Sequence, residues 1–186
     1  MPYETHNFIC IANDMMAAFI VRSVVGNIHK SMALSREYRK RKSAGKSETI
    51  SLSRSDMQRV RLRRKTDAGS DVGIILQPEA TLKDGDVLVS TKTKFIVVRQ
   101  LSEKVLSVKV RDRGPVSTVE VSALVGHAIG NRHRPIAVSG GTIAFPIMAD
   151  SELKLFEQLM PSGSVRLKIE EKVFQPSGAA TSNHEH

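Results

Sequence analysis

Hydrophobic and polar positions alternate along much of the first hundred residues. In RVRLRRKTDAG (59–69), Val60 and Leu62 fall on one side and Arg59, Arg61 and Arg63 on the other. That two-residue period predicts a half-exposed strand, closed by an Asp-Ala-Gly turn. AFIVRSVVGNI (18–28) is rich in β-branched residues and ends on Gly-Asn, so it is expected as a strand. ETISLSRSD alternates as well. SDVGIIL (70–76), DVLV after the tight-turn dipeptide Asp84-Gly85, and KFIVVRQL (94–101) supply three more strands. SMALSREYRKRKSAGKSE (31–48) is polar, basic and without a clean period, and is expected as a loop. No helical stretch interrupts this region, which predicts a small all-β domain over residues 15–102.

The pattern changes after Ser102. KVLSVKVR (104–111) predicts a strand, broken by Arg113-Gly114-Pro115. VSTVEVSALVGHAIG (116–130) then shows helical period, with Val121, Leu124, Val125 and Ala128 on one face. Ser117 and Glu120 have the spacing of a capping box. Gly130 suits the left-handed position after a helix, with Pro135 soon following. PIAVSGGTIAFPI (135–147) predicts a hairpin turning at Gly140-Gly141. DSELKLFEQLM (150–160) predicts a second helix, with Asp150 as N-cap and Pro161 and Gly163 as stop signals. SVRLKIEEKVF (164–174) predicts a last strand. The resulting order, β-α-β-β-α-β, is the ferredoxin-like arrangement. The expected class is therefore α+β: an N-terminal small all-β domain, then a ferredoxin-like βαββαβ domain over 103–175. QPSGAATSNHEH (175–186) has the composition of a mobile tail, so 176–186 is expected as a flexible, His-bearing segment.

Ahead of the domains, residues 1–14 are expected as an extension, with Met15 or Met16 as an alternative start. They do not resemble a secretory signal, because Glu4 stands where positive charge belongs and Asn13-Asp14 cut the apolar run short. MMAAFIV ends at Arg22, far short of the ~18 apolar residues a membrane span needs. A single cysteine, Cys10, excludes an internal disulfide and a multi-cysteine metal site. A cytoplasmic protein without membrane contact is the simplest match.

Composition adds two constraints. With six Phe, two Tyr and no Trp, packing falls to Val, Ile and Leu. The net charge of +9 over 186 residues raises nucleic acid, an acidic partner or a membrane surface as candidates.

Six histidines carry the candidate chemistry. His133 falls just beyond the first helix of the second domain, where partial negative charge favours a cation by ~0.3–1 kcal/mol. A histidine capping the last turn or lying in a loop is the competing reading. His184 and His186 form H-x-H at the chain end, where two imidazoles can reach one metal ion. A solvated chain end competes there. One chain offers three such imidazoles, and an isologous dimer with residue 133 near its axis offers six. The tail can reach, since nine residues beyond Gln175 span at most ~30 Å. Imidazole suits nickel, copper and zinc alike. His127 is expected as a partly buried polar residue on the helix. His29 and His6 are assigned no role.

Gly130-Asn131-Arg132-His133, preceded by Ile129, resembles the signature of the UreE urease accessory proteins, a nickel metallochaperone family. RLRRKTDAGSDVGIIL (61–76) followed by TLKDGDVL (81–88), VVGNIH (24–29) and the closing Phe174 and Pro176 are also similar to it. The resemblance covers roughly residues 17–178. It implies an N-terminal β-domain of partner- or peptide-binding type and a ferredoxin-like metal-binding domain. It implies a homodimer joined through the C-terminal domain, with Ni2+ at the interface (and Zn2+ accepted in vitro). Metal ligands would be His133, His184 and His186. Partners would be a urease accessory GTPase and the apo-urease complex, with nickel delivered and no reaction catalysed. Departures exist: Ala128 stands where many members have histidine, with His127 shifted by one. Ala149, Asp150 and Ser151 stand where some carry histidines, and the tail has only two. About one interfacial nickel per dimer and little storage capacity are therefore expected. Ligand imidazoles must be neutral, so affinity is expected to fall as pH drops through the ~6.5 of free imidazole.

Two rival functions follow from the residues alone. Arg36, Arg39, Lys40, Arg41 and Lys42 form one basic run, and Arg59, Arg61, Arg63, Arg64 and Lys65 another. Either could contact phosphates, though only Tyr38 lies nearby as a stacking ring, so a nucleic-acid-binding module ranks second. A solvated surface, or a docking face for an acidic partner, explains the same runs. Zinc or nickel storage uses the same ligands. An enzyme is not expected: no Ser-His-Asp spacing, H-E-x-x-H or Gly-rich phosphate loop is present.

Overall fold

Alternate side chains of strand β8 (Phe95–Gln100) leave for two different cores, and this layers the first half of the molecule. Ile96 and Val98 join one cluster, while Phe95 and Val97 join another. The two-residue period of extended chain produces the split. In β7 (Asp86–Ser90) a bulge between Val87 and Val89 interrupts the alternation, so Leu88 and Val89 both serve the first cluster and Val87 the second.

The computed structural model describes residues 8–11, 18–111, 117–160 and 163–177. The chain divides after Leu101 into two compact units. The first unit contains two four-stranded sheets. One has the order β1 (Phe8–Ile11), β2 (Ala18–Val21), β6 (Asp71–Ile75), β5 (Arg61–Lys65). The other has the order β3 (Gly26–Asn27), β7, β8, β4 (Ser47–Leu52). The larger core takes Val21, Leu62, Val72 and Ile74 from the first sheet and Ile50, Leu52, Leu88 and Ile96 from the second. Each such side chain contributes about 1.5–3 kcal/mol by leaving water.

Four expectations need correction here. The segment expected as a loop contains helix α1 (Met32–Ser43), started by the Ser31 hydroxyl, which accepts from the Leu34 amide. Its buried side is narrow: Leu34 and Tyr38 pack with Ile28, Val87, Phe95 and Val97. Arg41 completes that side by laying its guanidinium 5.8 Å from the Phe95 ring centre. A basic residue thus fills a hydrophobic position, which hides the helical period. A short second helix, α2 (Arg54–Met57), starts at Ser53. The first unit is therefore a β-rich α+β unit, not an all-β one. Within the segment expected as an extension, β1 pairs antiparallel with β2 and forms a sheet edge. The single strand expected over 18–28 is two short ones, β2 and β3.

The second unit runs β9 (Glu103–Val110), α3 (Thr118–Gly130), β10 (Ala137–Ser139), β11 (Thr142–Pro146), α4 (Glu152–Leu159), β12 (Val165–Lys172). Its sheet order is β10-β11-β9-β12, with every pairing antiparallel. Both helices cover one face. Leu106 and Val108 of β9 pack there with Val121, Val125 and Ile129 of α3 and Phe156 of α4. The Phe145 and Phe156 rings meet at 4.5 Å and 58°. Gly140 and Gly141, at φ +55° and +71°, make the hairpin turn that only left-handed residues allow. The opposite face carries only a small cluster of Val105, Ala144 and Phe174. Among the described residues, no helix is long and apolar enough to cross a membrane.

Candidate metal centre

Helix α3 aims at the site, and its sequence fixes both ends. At the start, the Ser117 hydroxyl accepts from the Glu120 amide while the Glu120 carboxylate accepts from the Ser117 amide. This is the expected capping box. Val121, Val125 and Ile129 turn inward. Leu124, expected on that face, is 54 % exposed, and Val119 is 79 % exposed. The helix therefore carries two exposed apolar residues besides its buried face.

The far end departs from expectation. Gly130 is the last helical residue, and the left-handed conformation belongs to His133, at φ +51°. Among the described residues it is the one non-glycine with positive φ. The amides of Asn131, Arg132 and His133 donate to the carbonyls of His127, Ile129 and Gly130, at 3.0, 3.0 and 2.8 Å. These bonds satisfy the last carbonyls and carry the turn three residues past the glycine. An L residue there is strained by about 1–2 kcal/mol, and such strain persists only where the surroundings impose it.

Two arginines flank His133. Arg132 donates to the Ala128 carbonyl at 3.2 Å and lays its guanidinium 5.5 Å from the Phe156 ring centre. Arg134 donates to the Glu152 carboxylate at 2.8 Å. The other Glu152 oxygen accepts from the amides of Met148 and Ala149, at 2.5 and 3.3 Å. His133 thus sits between two side chains fastened to α4 while itself standing exposed. Sequence reasoning missed this brace. Its signal was present, because arginine flanks the histidine on both sides. Asp150 is not the N-cap of α4: that position is Ser151, and Asp150 accepts instead from Lys104 at 3.0 Å.

The other histidines fall in different places. His127, expected partly buried, is exposed on α3, with its Nε2 3.0 Å from the Asn131 side-chain amide. His29 pairs with Asp84 at 2.9 Å, over the turn at Gly85, where a Cβ would overlap its ring. His184, His186 and His6 lie outside the described residues. The start of the tail is described, however. The Ser177 amide donates to the Ile136 carbonyl, and the Ser177 hydroxyl accepts from the Val138 amide, both at 2.8 Å. Ser177, the last described residue, is therefore held against the strand that follows His133, β10. Among the described residues of one chain, no three His, Cys, Asp or Glu side chains are grouped to hold a metal ion.

Comparison with known proteins bears on this arrangement. The family model for the UreE urease accessory protein, N-terminal domain, matches residues 21–101. The urease accessory protein UreE of Natronomonas pharaonis is 34 % identical over 171 residues, spanning 89 % of this chain and 78 % of that protein. The chain belongs to the UreE urease accessory protein family. Urease accessory protein UreE 1 of Pseudomonas syringae pv. tomato is 35 % identical over 119 residues, covering 63 % of this chain and 76 % of that relative. The UreE of Burkholderia ambifaria is 30 % identical over 142 residues, covering 74 % and 63 %. UreE proteins are accessory chaperones, not enzymes.

The basic runs look different in this UreE chain than in its sequence. Arg63 chelates the Asp71 carboxylate and holds its pKa below the ordinary range. Asp56 lies 3.2 Å from Arg64 and 3.7 Å from Arg59. Arg41 binds Glu37 at 2.6 Å. Four of the ten basic residues in the two runs, Arg41, Arg59, Arg63 and Arg64, are thus paired with three carboxylates of the same unit.

Proposed function

We propose that this chain is a cytoplasmic nickel carrier for urease assembly, in which His133 holds the cargo ion. One observation supports this most: an exposed histidine in a strained left-handed turn, three residues before the carbonyl that holds Ser177. Among the described residues of one chain, no three ligand side chains gather to hold an ion. A two-fold dimer through the ferredoxin-like C-terminal unit brings two copies of His133 together. The exposed Val119 and Leu124 of α3 give such a dimer an apolar surface to bury. His184 and His186 complete the ligand set. His184 lies seven steps along the chain from Ser177, a reach of at most ~25 Å. Ile136, the residue that holds Ser177, lies three steps from His133, or ~10 Å at most.

Transfer follows from the same arrangement. Ligands on a tail can leave the ion without unfolding either unit, so tight capture and release coexist. The cargo passes to apo-urease together with an accessory GTPase, and the β-rich first unit serves as the partner-binding module. Zn2+ occupies the same imidazoles in vitro. Calorimetric titration with nickel tests the assignment. His133→Ala is expected to abolish most tight binding, whereas deletion of 178–186 weakens it with the melting temperature unchanged. Unchanged affinity in the His133 variant overturns the reading.

A further inference from the structure

The sheet face turned away from α3 and α4 is a groove of about 700 Å³. The register of β9 and β12 decides what lines it. Arg166 lies directly opposite Lys109, and Lys168 opposite Ser107. Thr142 and Ala144 flank Lys109 and Ser107 from the other side. Like charges facing each other across a strand pair destabilise it. Among the described residues, neither Lys109 nor Arg166 has an ion-pair partner. Lys172 brings the groove's cations to four.

One carboxylate stands among them, and it is already satisfied. Glu170 lies 2.9 Å from Lys172 and 3.0 Å from Lys168, and accepts from the Ser107 hydroxyl at 2.9 Å. Four cations against one carboxylate leave a surplus of three positive charges over a floor of small side chains. That surplus, including a directly opposed cationic pair, is what an anionic ligand relieves.

We propose that this face docks an acidic, extended segment of a partner polypeptide, with its carboxylates against Lys109, Arg166 and Lys168. A polypeptide fits better than a nucleic acid. Phe174, the ring bordering the groove, is 2 % exposed, so bases find no platform to stack on. The hydroxyls of Ser139 and Thr142 suit hydrogen bonding to carboxylates and backbone. This role is independent of the metal assignment, because it uses none of the histidines.

Fluorescence anisotropy of the full chain with a labelled oligoglutamate peptide tests it, with oligoglutamine and oligothymidylate as comparison probes. Oligoglutamate is expected to bind, oligoglutamine not. The double variant Lys109→Ser, Arg166→Ser is expected to weaken oligoglutamate binding at least about tenfold. Its melting temperature stays level or rises, because an opposed like-charge pair has gone. The single variant Arg166→Gln gives a smaller loss in the same direction and serves if the double variant fails to fold. Arg36→Ser with Arg39→Ser, on the exposed side of α1, keeps wild-type binding. The proposal is overturned by undiminished binding in the groove variants or by an equal loss in the α1 variant. Oligothymidylate binding that competes at the same residues also overturns it.

Discussion

At the scale of single residues, His133 shows a side chain kept where the backbone disfavours it. Glycine adopts φ +51° freely, so His133→Gly removes the strain along with the imidazole. His133→Ala removes the imidazole and keeps the strain. The glycine variant is expected to be more stable than the alanine variant by about 1 kcal/mol, with nickel binding lost in both. Denaturant unfolding beside metal titration measures the two effects separately. The histidine itself was legible from GNRH, but its conformation was not. Gly130 is the stronger local signal for a left-handed residue, and only the three amides that extend the turn displace that role to His133. A second residue sets a pH dependence. Bonds from Lys172, Lys168 and Ser107 lower the Glu170 carboxyl from 4.5 to about 2. Its folded pKa lies below its unfolded one, so the ionised form contributes stability above pH 4.5 that fades as pH falls toward 2. Compared with Glu170→Gln, the native chain is expected to hold its full advantage near neutrality and none at about pH 2. Urea midpoints measured down that range check it.

Elements differ in how plainly they are written in the chain. Strand β8 was legible because four successive apolar residues supply two cores, and no helix of that length would bury both sides. The antiparallel unit around β9 was legible because each connection carries its own punctuation: the Ser117–Glu120 box, the Gly140-Gly141 turn, the stop before Pro161. Helix α1 was not. Its inner face counts two hydrophobic residues, Leu34 and Tyr38, and completes itself with the stem and guanidinium of Arg41, a residue any periodicity count scores as polar. The α2 turn was missed because four residues are too few to show a period. If Tyr38 anchors α1, its removal matters more than the polarity of the helix suggests. The ring stacks 6.2 Å from Phe95, and its hydroxyl accepts from Arg99 at 3.4 Å. Tyr38→Ala is expected to cost about 3 kcal/mol of unfolding free energy. Changes on the exposed side of the same helix have no such consequence: Lys40→Ala is expected to stay within about 0.5 kcal/mol. Thermal melts of the pair distinguish an anchored helix from one that merely covers the sheet.

For the whole molecule, the decisive quantity is the number of ions per chain. One chain contributes a single imidazole from its folded body at the proposed centre and two more from its tail. A monomeric centre would have to close on those three, with each tail used up by its own chain. A dimeric centre uses both copies of His133 and leaves the tails to exchange, so nickel titrates to about one ion for two chains. Mass action then links metal to assembly: an ion that binds the dimer and not the monomer raises the dimer population as it is added. Leu124→Glu, which replaces an exposed apolar residue of α3 by a charge, is expected to lower both the dimer fraction and nickel affinity while His133 stays intact. His133→Ala is expected to lower affinity and leave a metal-free dimer untouched. Sedimentation with and without nickel, run on both variants, reads these outcomes apart. One ion per chain on a species that stays monomeric would refute the shared centre, and with it the reason for holding an exposed histidine in a strained turn at the end of α3.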